Sequence, residues 1–268
     1  MKKRFKYLLA TVAAGFFLLL VLFAGLHFYI ITTTPAATFY NSEQKLWKHA
    51  VNDTALFAAT FEQYPGIEFD VNYDLELMDF DFRYFESDSA RNIDLTTIFR
   101  SIPEYNNYYY WIDFKNLTKA TVHPALDELN KTNTELGIKS QIIIESPNIE
   151  ELGELSKAGY YSSYWIPHFK FDFLPFYHKL YADYKEAFKI ARNIRKYDIS
   201  AISAHYPMYE TMHRFFPKMN IHLWTNGLKT ENDKALILDL AKNKNIKVII
   251  VDYPYNFDEA AFGKNNQQ

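Results

Sequence analysis

Cysteine is absent from this chain of 268 residues. Its absence excludes a disulfide framework, a cysteine-based zinc site and a thiol nucleophile. Glycine is scarce, with 8 residues and no glycine-rich loop. A bound phosphate would therefore rest on side chains or a cation, not on a backbone cradle of the P-loop kind. An excess of positive charge is lacking too. The net charge of -3 leaves no basic footprint and argues against a nucleic-acid partner.

What is present first is a long apolar run. Met1-Lys2-Lys3-Arg4-Phe5-Lys6 leads into a long apolar stretch, 7–31, with His27 near its far end. A signal-peptide core needs about 7–15 residues and a spanning helix about 20. The length of this run and its aromatic end favour an uncleaved single-pass membrane anchor. Cleavage near Thr33–Ala37 is the competing reading. The basic cluster ahead of the run holds the amino terminus in the cytoplasm, so the remainder lies on the extracytoplasmic side. The expected organisation is a basic cytoplasmic tail (1–6), an anchor (7–31), a linker (32–41), one domain (42–256) and a polar tail (257–268).

Within that domain, strand-like apolar runs occur at 46–49, 67–73, 108–115, 140–145, 160–166, 199–204, 221–225 and 246–252. Segments of helical period separate them, at 54–64, 95–102, 124–136, 149–158, 177–196, 209–216 and 233–242. Continuous apolar strands alternating with helices argue for a parallel sheet covered by crossover helices. Eight such runs in a domain of this size predict an α/β fold of the TIM-type (β/α)8 barrel class, preceded by one transmembrane helix. An open doubly wound sheet is the alternative.

Polar residues interrupt these runs near their carboxyl ends, where a barrel builds its active site. They are His49, Glu68, Asp70, Asp113, Lys115, Glu145, His205, Thr225 and Asp252. Glu68 and Asp70 are two apart on a strand, so both face the same way. Two converging carboxylates repel, which raises a pKa or recruits a cation. Asp113 adds a third oxygen donor, and such a set suits Mg²⁺ or Ca²⁺. Lys115, on the same face as Asp113, offers a positive charge to a phosphate oxygen, and Asn52 is a further polar contact. His49 is placed to act as general acid/base or nucleophile, because imidazole titrates near neutral pH. The bland alternative is a structural Asp113–Lys115 ion pair at a barrel mouth. His123, His178, His213 and His222 read as surface or core residues.

The segments His49-Ala50-Val51-Asn52, Ile67-Glu68-Phe69-Asp70-Val71, Asp113-Phe114-Lys115 and Leu223-Trp224-Thr225-Asn226 together resemble the phospholipase C-like phosphodiesterase superfamily. That group includes glycerophosphodiester phosphodiesterases, sphingomyelinase D-like phospholipases and menorin-like proteins. The resemblance covers nearly the whole domain. It implies a TIM-type barrel, a divalent cation on Glu68, Asp70 and Asp113, a catalytic His49, Lys115 on the phosphate and Trp224 lining the pocket. It also implies displacement at phosphorus in a glycerophosphodiester or phospholipid-type diester.

One departure stands out. The family carries a second histidine shortly after the Glu-x-Asp strand, and by spacing Phe85 or Tyr84 occupies its place here. The expected function is thus a membrane-anchored phosphodiesterase. A binding barrel that holds a lipid headgroup diester without turnover is the alternative.

Overall fold

The computed structural model describes residues 2–38, 44–51, 56–81, 95–167, 176–226, 228 and 231–252. The apolar amino-terminal run forms one helix, α1 (Lys2–Ile31). Its segment Leu9–Ile31 is long and apolar enough to cross a membrane by length and composition.

Eight parallel strands then close on themselves. They are β1 (Leu46–Lys48), β2 (Gly66–Asp74), β4 (Tyr109–Phe114), β5 (Ile142–Ser146), β6 (Tyr161–Trp165), β7 (Ala201–His205), β8 (Asn220–Trp224) and β9 (Ile246–Val251). β1 pairs with β9 on one side and with β2 on the other. That double pairing is the closure, and it excludes the open sheet. The expected TIM-type barrel is therefore the observed fold. A short strand, β3 (Asp79–Asp81), is an addition: it folds back antiparallel on the far end of β2. Three residues carry too little alternation to be read as a strand from sequence.

The connecting helices are α2 (Phe57–Phe61), α3 (Leu95–Ser101), α4 (Val122–Leu136), α5 (Ile149–Lys157), α6 (Phe176–Lys196), α7 (Tyr209–Phe215) and α8 (Glu231–Ala241). Each buries its apolar stripe against the outer face of the strands, as Leu129 of α4, Leu152 of α5 and Ile190 of α6 do.

Inside the barrel a separate cluster of Trp47, Trp111, Ile143, Tyr161, Ala201, Val248 and Ile250 fills the lower interior. Gly66 makes this possible. A Cβ there would lie 2.5 Å from the Trp47 ring, so the strand needs glycine where the indole crosses it. This plug forms a dry floor and leaves the carboxyl ends of the strands for polar groups.

His222 belongs to the plug, as a core histidine. It is fully buried, its Nδ1 lies 2.9 Å from Ser163 Oγ, and burial pushes its pKa down to about 3. The folded chain keeps His222 neutral while the unfolded chain protonates it below its ordinary value of 6.5. Stability therefore falls as pH drops through the window between those values, by at most about 1.4 kcal/mol per unit. Between pH 6.5 and 5, His222→Gln should lose about 1–2 kcal/mol less stability than the wild type. Urea unfolding at the two pH values reads this out, and parallel losses would refute it.

Candidate active site

The barrel register brings the strand-end residues together. Asp70 on β2 pairs directly with Asp113 on β4, and Asp113 pairs with Glu145 on β5. All three side chains and Glu68 are buried. One oxygen from each of Glu68, Asp70 and Asp113 lies within 4.8 Å of the other two. They line a cavity of about 220 Å³ together with His49, Lys115, Glu145, Trp165, Trp224, Asn226 and Ile250.

His49 follows β1 and is held from two sides. Its Nδ1 is 2.5 Å from Asp252 Oδ1, and its Nε2 is 3.7 Å from Glu68 Oε2. A carboxylate can only accept, so Nδ1 carries the proton and Nε2 is the atom presented to the cavity. Asp252 follows β9, and its carbonyl accepts from Lys48 Nζ at 2.5 Å. Burial disfavours the imidazolium, but the Asp252 hydrogen bond and the charges of Glu68, Asp252 and Asp70 outweigh it. The His49 pKa is raised as a result.

Ala50 sits next to this pair with φ 53°, in the left-handed region. That conformation aims its N–H at Glu68 Oε2, at 2.7 Å. A non-glycine residue there costs about 1–2 kcal/mol. Ala50→Gly should therefore stabilise the protein by about 0.5–1 kcal/mol, opposite to the usual sign of that exchange. Denaturant unfolding tests this, and a loss of that size would place no strain at Ala50.

The carboxylates carry the stress expected of like charges out of water. Burial pushes the Glu68 pKa up to about 8. His49 and the Ala50 amide pull it down, while Asp70 and Asp113 push it further up. Burial also raises Asp113 and, more strongly, Glu145. Glu145 accepts from Trp111 Nε1 at 3.0 Å and from Ser203 Oγ.

Lys115 bridges Asp70, at 2.5 Å, and Asp113. Burial opposes its charge, but the two carboxylates outweigh burial and hold its pKa above the ordinary value. The ion pair read as the bland alternative is thus present, extended to a third residue. It lies within the cluster.

The donor set fits a hard divalent cation. Three carboxylates converge, and Asp113 Oδ1 is buried with no hydrogen-bond partner among the described residues. An orphaned anionic oxygen in that position is costly unless something positive meets it. Oxygen donors alone suit Mg²⁺ or Ca²⁺.

Of the seven expected site residues, His49, Glu68, Asp70, Asp113, Lys115 and Trp224 all line this one cavity. Asn52 lies outside the described residues, as do Tyr84 and Phe85. His205 is half-buried at the end of β7 and does not line the cavity. Sequence reasoning assigned no role to Asp252, Glu145 or Trp165. The first two carried a visible signal as acids ending apolar strands. Trp165 was readable only as part of an aromatic stretch, 160–165, suited to interfacial contact, and its edge-to-face contact with Trp224 at 5.4 Å is formed between strands that are not neighbours.

Solved structures share this architecture. A glycerophosphodiester phosphodiesterase from Parabacteroides distasonis superposes with a TM-score of 0.56, over 80% of this chain and 95% of that one, at 13% identity. An Oleispira antarctica phosphodiesterase, in complex with the product sn-glycerol-3-phosphate, gives a TM-score of 0.51 over 78% and 93%, at 10% identity. This chain shares the barrel fold of these phosphodiesterases. At such identities the likeness is one of fold alone. No family model and no curated protein matches the sequence.

Proposed function

We propose that this protein is a membrane-anchored phosphodiesterase acting on a glycerophosphodiester or phospholipid-type diester with the help of a divalent cation. The observation that carries the reading is the convergence of Glu68, Asp70 and Asp113 in the barrel mouth, with His49 on one side and Lys115 on the other. The fold shared with phosphodiesterases, one of them holding a phosphate ester product, supports it.

Glu68, Asp70 and Asp113 would hold the cation, which supplies charge stabilisation to the phosphoryl oxygens. Lys115 offers a second positive charge once a phosphate draws it from Asp70 and Asp113. Asp252 keeps the His49 proton on Nδ1, leaving Nε2 to take the proton of the attacking hydroxyl. That hydroxyl belongs to water or to the diester itself. As the new oxygen–phosphorus bond forms, the bond to the leaving alcohol breaks, and the imidazolium of His49 returns the proton to that alcohol. One imidazole thereby serves as base and then acid, or as nucleophile in a two-step variant. Trp224 and Trp165 present aromatic faces to the organic part of the substrate, and Asn52 is assigned to its polar part.

The anchor reading places residues 1–6 in the cytoplasm, spans the bilayer within 7–31 and leaves the barrel outside. The buried Thr33 side chain and the Ala36 N–H bond to Ile199 O, 3.1 Å, support an uncleaved chain, since a cleavage site at 33–37 would lie against the barrel.

The test is direct. Purified full-length protein in detergent is incubated with Mg²⁺ or Ca²⁺ and with glycerophosphocholine, lysophosphatidylcholine or sphingomyelin, and choline or its phosphate is measured. Release from none of them, together with a thermal shift by the same diesters, would establish the second reading, a non-catalytic headgroup-binding barrel. The missing second histidine favours that reading.

A further inference from the structure

α1 does not hang from the barrel on a free linker. Its last turns dock on α6. Arg195 Nη2 donates to Tyr29 O at 2.6 Å, and its guanidinium lies 4.0 Å from the Tyr29 ring centre. Tyr29 also meets Phe188, with ring centres 5.4 Å apart. One step further along, Tyr184 OH lies 3.0 Å from His27 Nδ1, and its ring is 4.5 Å from that of Phe23.

The order of these contacts gives the direction. As α6 is followed back from Arg195 to Tyr184, α1 is followed back from Tyr29 to Phe23, so the two helices run parallel. The carboxyl end of α6 leads into the amino end of β7, which is the floor of the barrel. The carboxyl end of α1 reaches the same floor, where Ala36 N–H donates to Ile199 O and Asn220 Nδ2 donates to Ala37 O at 3.4 Å. From there α1 climbs the side of the barrel toward the mouth.

Beyond Phe23, toward its amino end, the helix packs on none of the described residues of the barrel. Every described side chain from Tyr7 to Gly25 is exposed, whereas Ile30 and Thr33 are buried on the barrel. At about 1.5 Å per residue the bare segment 7–22 spans about 24 Å, most of a hydrocarbon core of about 30 Å. α6 points the same way. Its 21 residues reach about 31 Å, against about 17 Å for a five-residue barrel strand. Its first turns therefore rise past the rim, and there they expose Leu180 and, at 71%, Tyr181. Aromatic and aliphatic groups at the end of a bare apolar helix suit the headgroup boundary.

We propose that α1 and α6 seat the barrel with its mouth against the bilayer, so that the substrate is the headgroup phosphodiester of a lipid in that leaflet and not a freely diffusing diester. This rests on the phosphodiesterase reading above and assigns its substrate class. A docked helix holds the cavity at the membrane surface, where the two tryptophans of the mouth meet the lipid.

The absence of cysteine makes the experiment clean. Single cysteines are introduced as Tyr181→Cys at the rim or Lys218→Cys at the floor and labelled with an environment-sensitive fluorophore. Each full-length protein is reconstituted into phosphatidylcholine vesicles carrying a shallow spin-labelled lipid. Quenching should be several-fold stronger at the rim position than at the floor. Equal quenching, or stronger quenching at the floor, overturns the seating.

A second measurement uses Tyr184→Ala/Arg195→Ala, which undocks the helix without touching the cavity. Turnover of lysophosphatidylcholine in vesicles should fall at least tenfold, while turnover of soluble glycerophosphocholine stays unchanged. Equal effects on both substrates overturn the proposal. If glycerophosphocholine is cleaved but the vesicle lipid is not, the lipid assignment fails and the phosphodiesterase reading stands. If the labels behave as expected and neither diester is cleaved, the phosphodiesterase reading fails and the seating stands.

Discussion

His49→Ala should lower kcat on a cleaved diester by about 10²–10⁴-fold, the range for loss of one acid/base group. The upper half of that range is expected here. On the proposed reading, the second histidine of the superfamily the motifs resemble has no counterpart by spacing, so a single imidazole would carry both proton transfers. KM should change little, because on the proposed reading the charge that holds the phosphate would come from Lys115 and a carboxylate-held cation and not from the imidazole. Asp252→Asn is the informative companion. An amide can donate to Nδ1, which favours the tautomer with its proton on the cavity-facing Nε2. That substitution also removes the group whose hydrogen bond raises the His49 pKa. The acid limb of the pH–rate profile should then move to lower pH while kcat falls. If His49→Ala retains wild-type kcat, the proton transfers belong to another group and the site assignment collapses.

The second large effect concerns the cation. Mg²⁺ or Ca²⁺ at about 100 times its dissociation constant should stabilise the protein by about 2.7 kcal/mol. For a domain of this size that is a rise in Tm of about 5–10 °C. Asp113→Asn should abolish the rise, since it neutralises one of the three converging carboxylates.

Glu68→Gln should abolish it too, and should change the cation-free protein in a specific way. In the wild type the folded state binds a proton at Glu68 between its ordinary 4.5 and about 8, where the unfolded state does not. Stability of the cation-free protein therefore falls as pH rises through that window, by at most about 1.4 kcal/mol per unit. Glutamine has no such proton to lose, so its curve should be flatter and its stability at pH 8 higher. Differential scanning fluorimetry across pH 5–8, with and without cation, reads both effects. A wild type indifferent to either cation, together with a wild-type-stable triple alanine variant at Glu68, Asp70 and Asp113, would make the barrel a structural module.

The match between sequence and structure follows from range. Period-two alternation is local, so Glu68 and Asp70 were readable as sharing a face, as were Asp113 and Lys115. The same logic located the eight barrel strands and most connecting helices within a few residues. Asp252 was readable as a strand-end acid, but its partner is 203 positions away in the chain. Nothing local marks that distance. β3 was too short to carry a pattern, and the Trp165–Trp224 contact depends on how strands cross the barrel.

By itself, then, the sequence determined the chemistry available: five carboxylates, a lysine and two histidines at strand ends, an apolar run long enough to span a membrane, and no thiol or glycine cradle. Composition and alternation are properties of neighbouring residues, which is why those features were legible. Only the tertiary structure decided how they combine. Closure of β1 on both β2 and β9 brings His49 to Asp252 and Glu68. The register of β2, β4 and β5 stacks Asp70, Asp113 and Glu145 in one row. The parallel docking of α1 on α6 sets which end of the barrel the apolar helix points toward. Each of these is a pairing between distant segments, fixed by packing and hydrogen-bond register, and no periodicity along the chain encodes it.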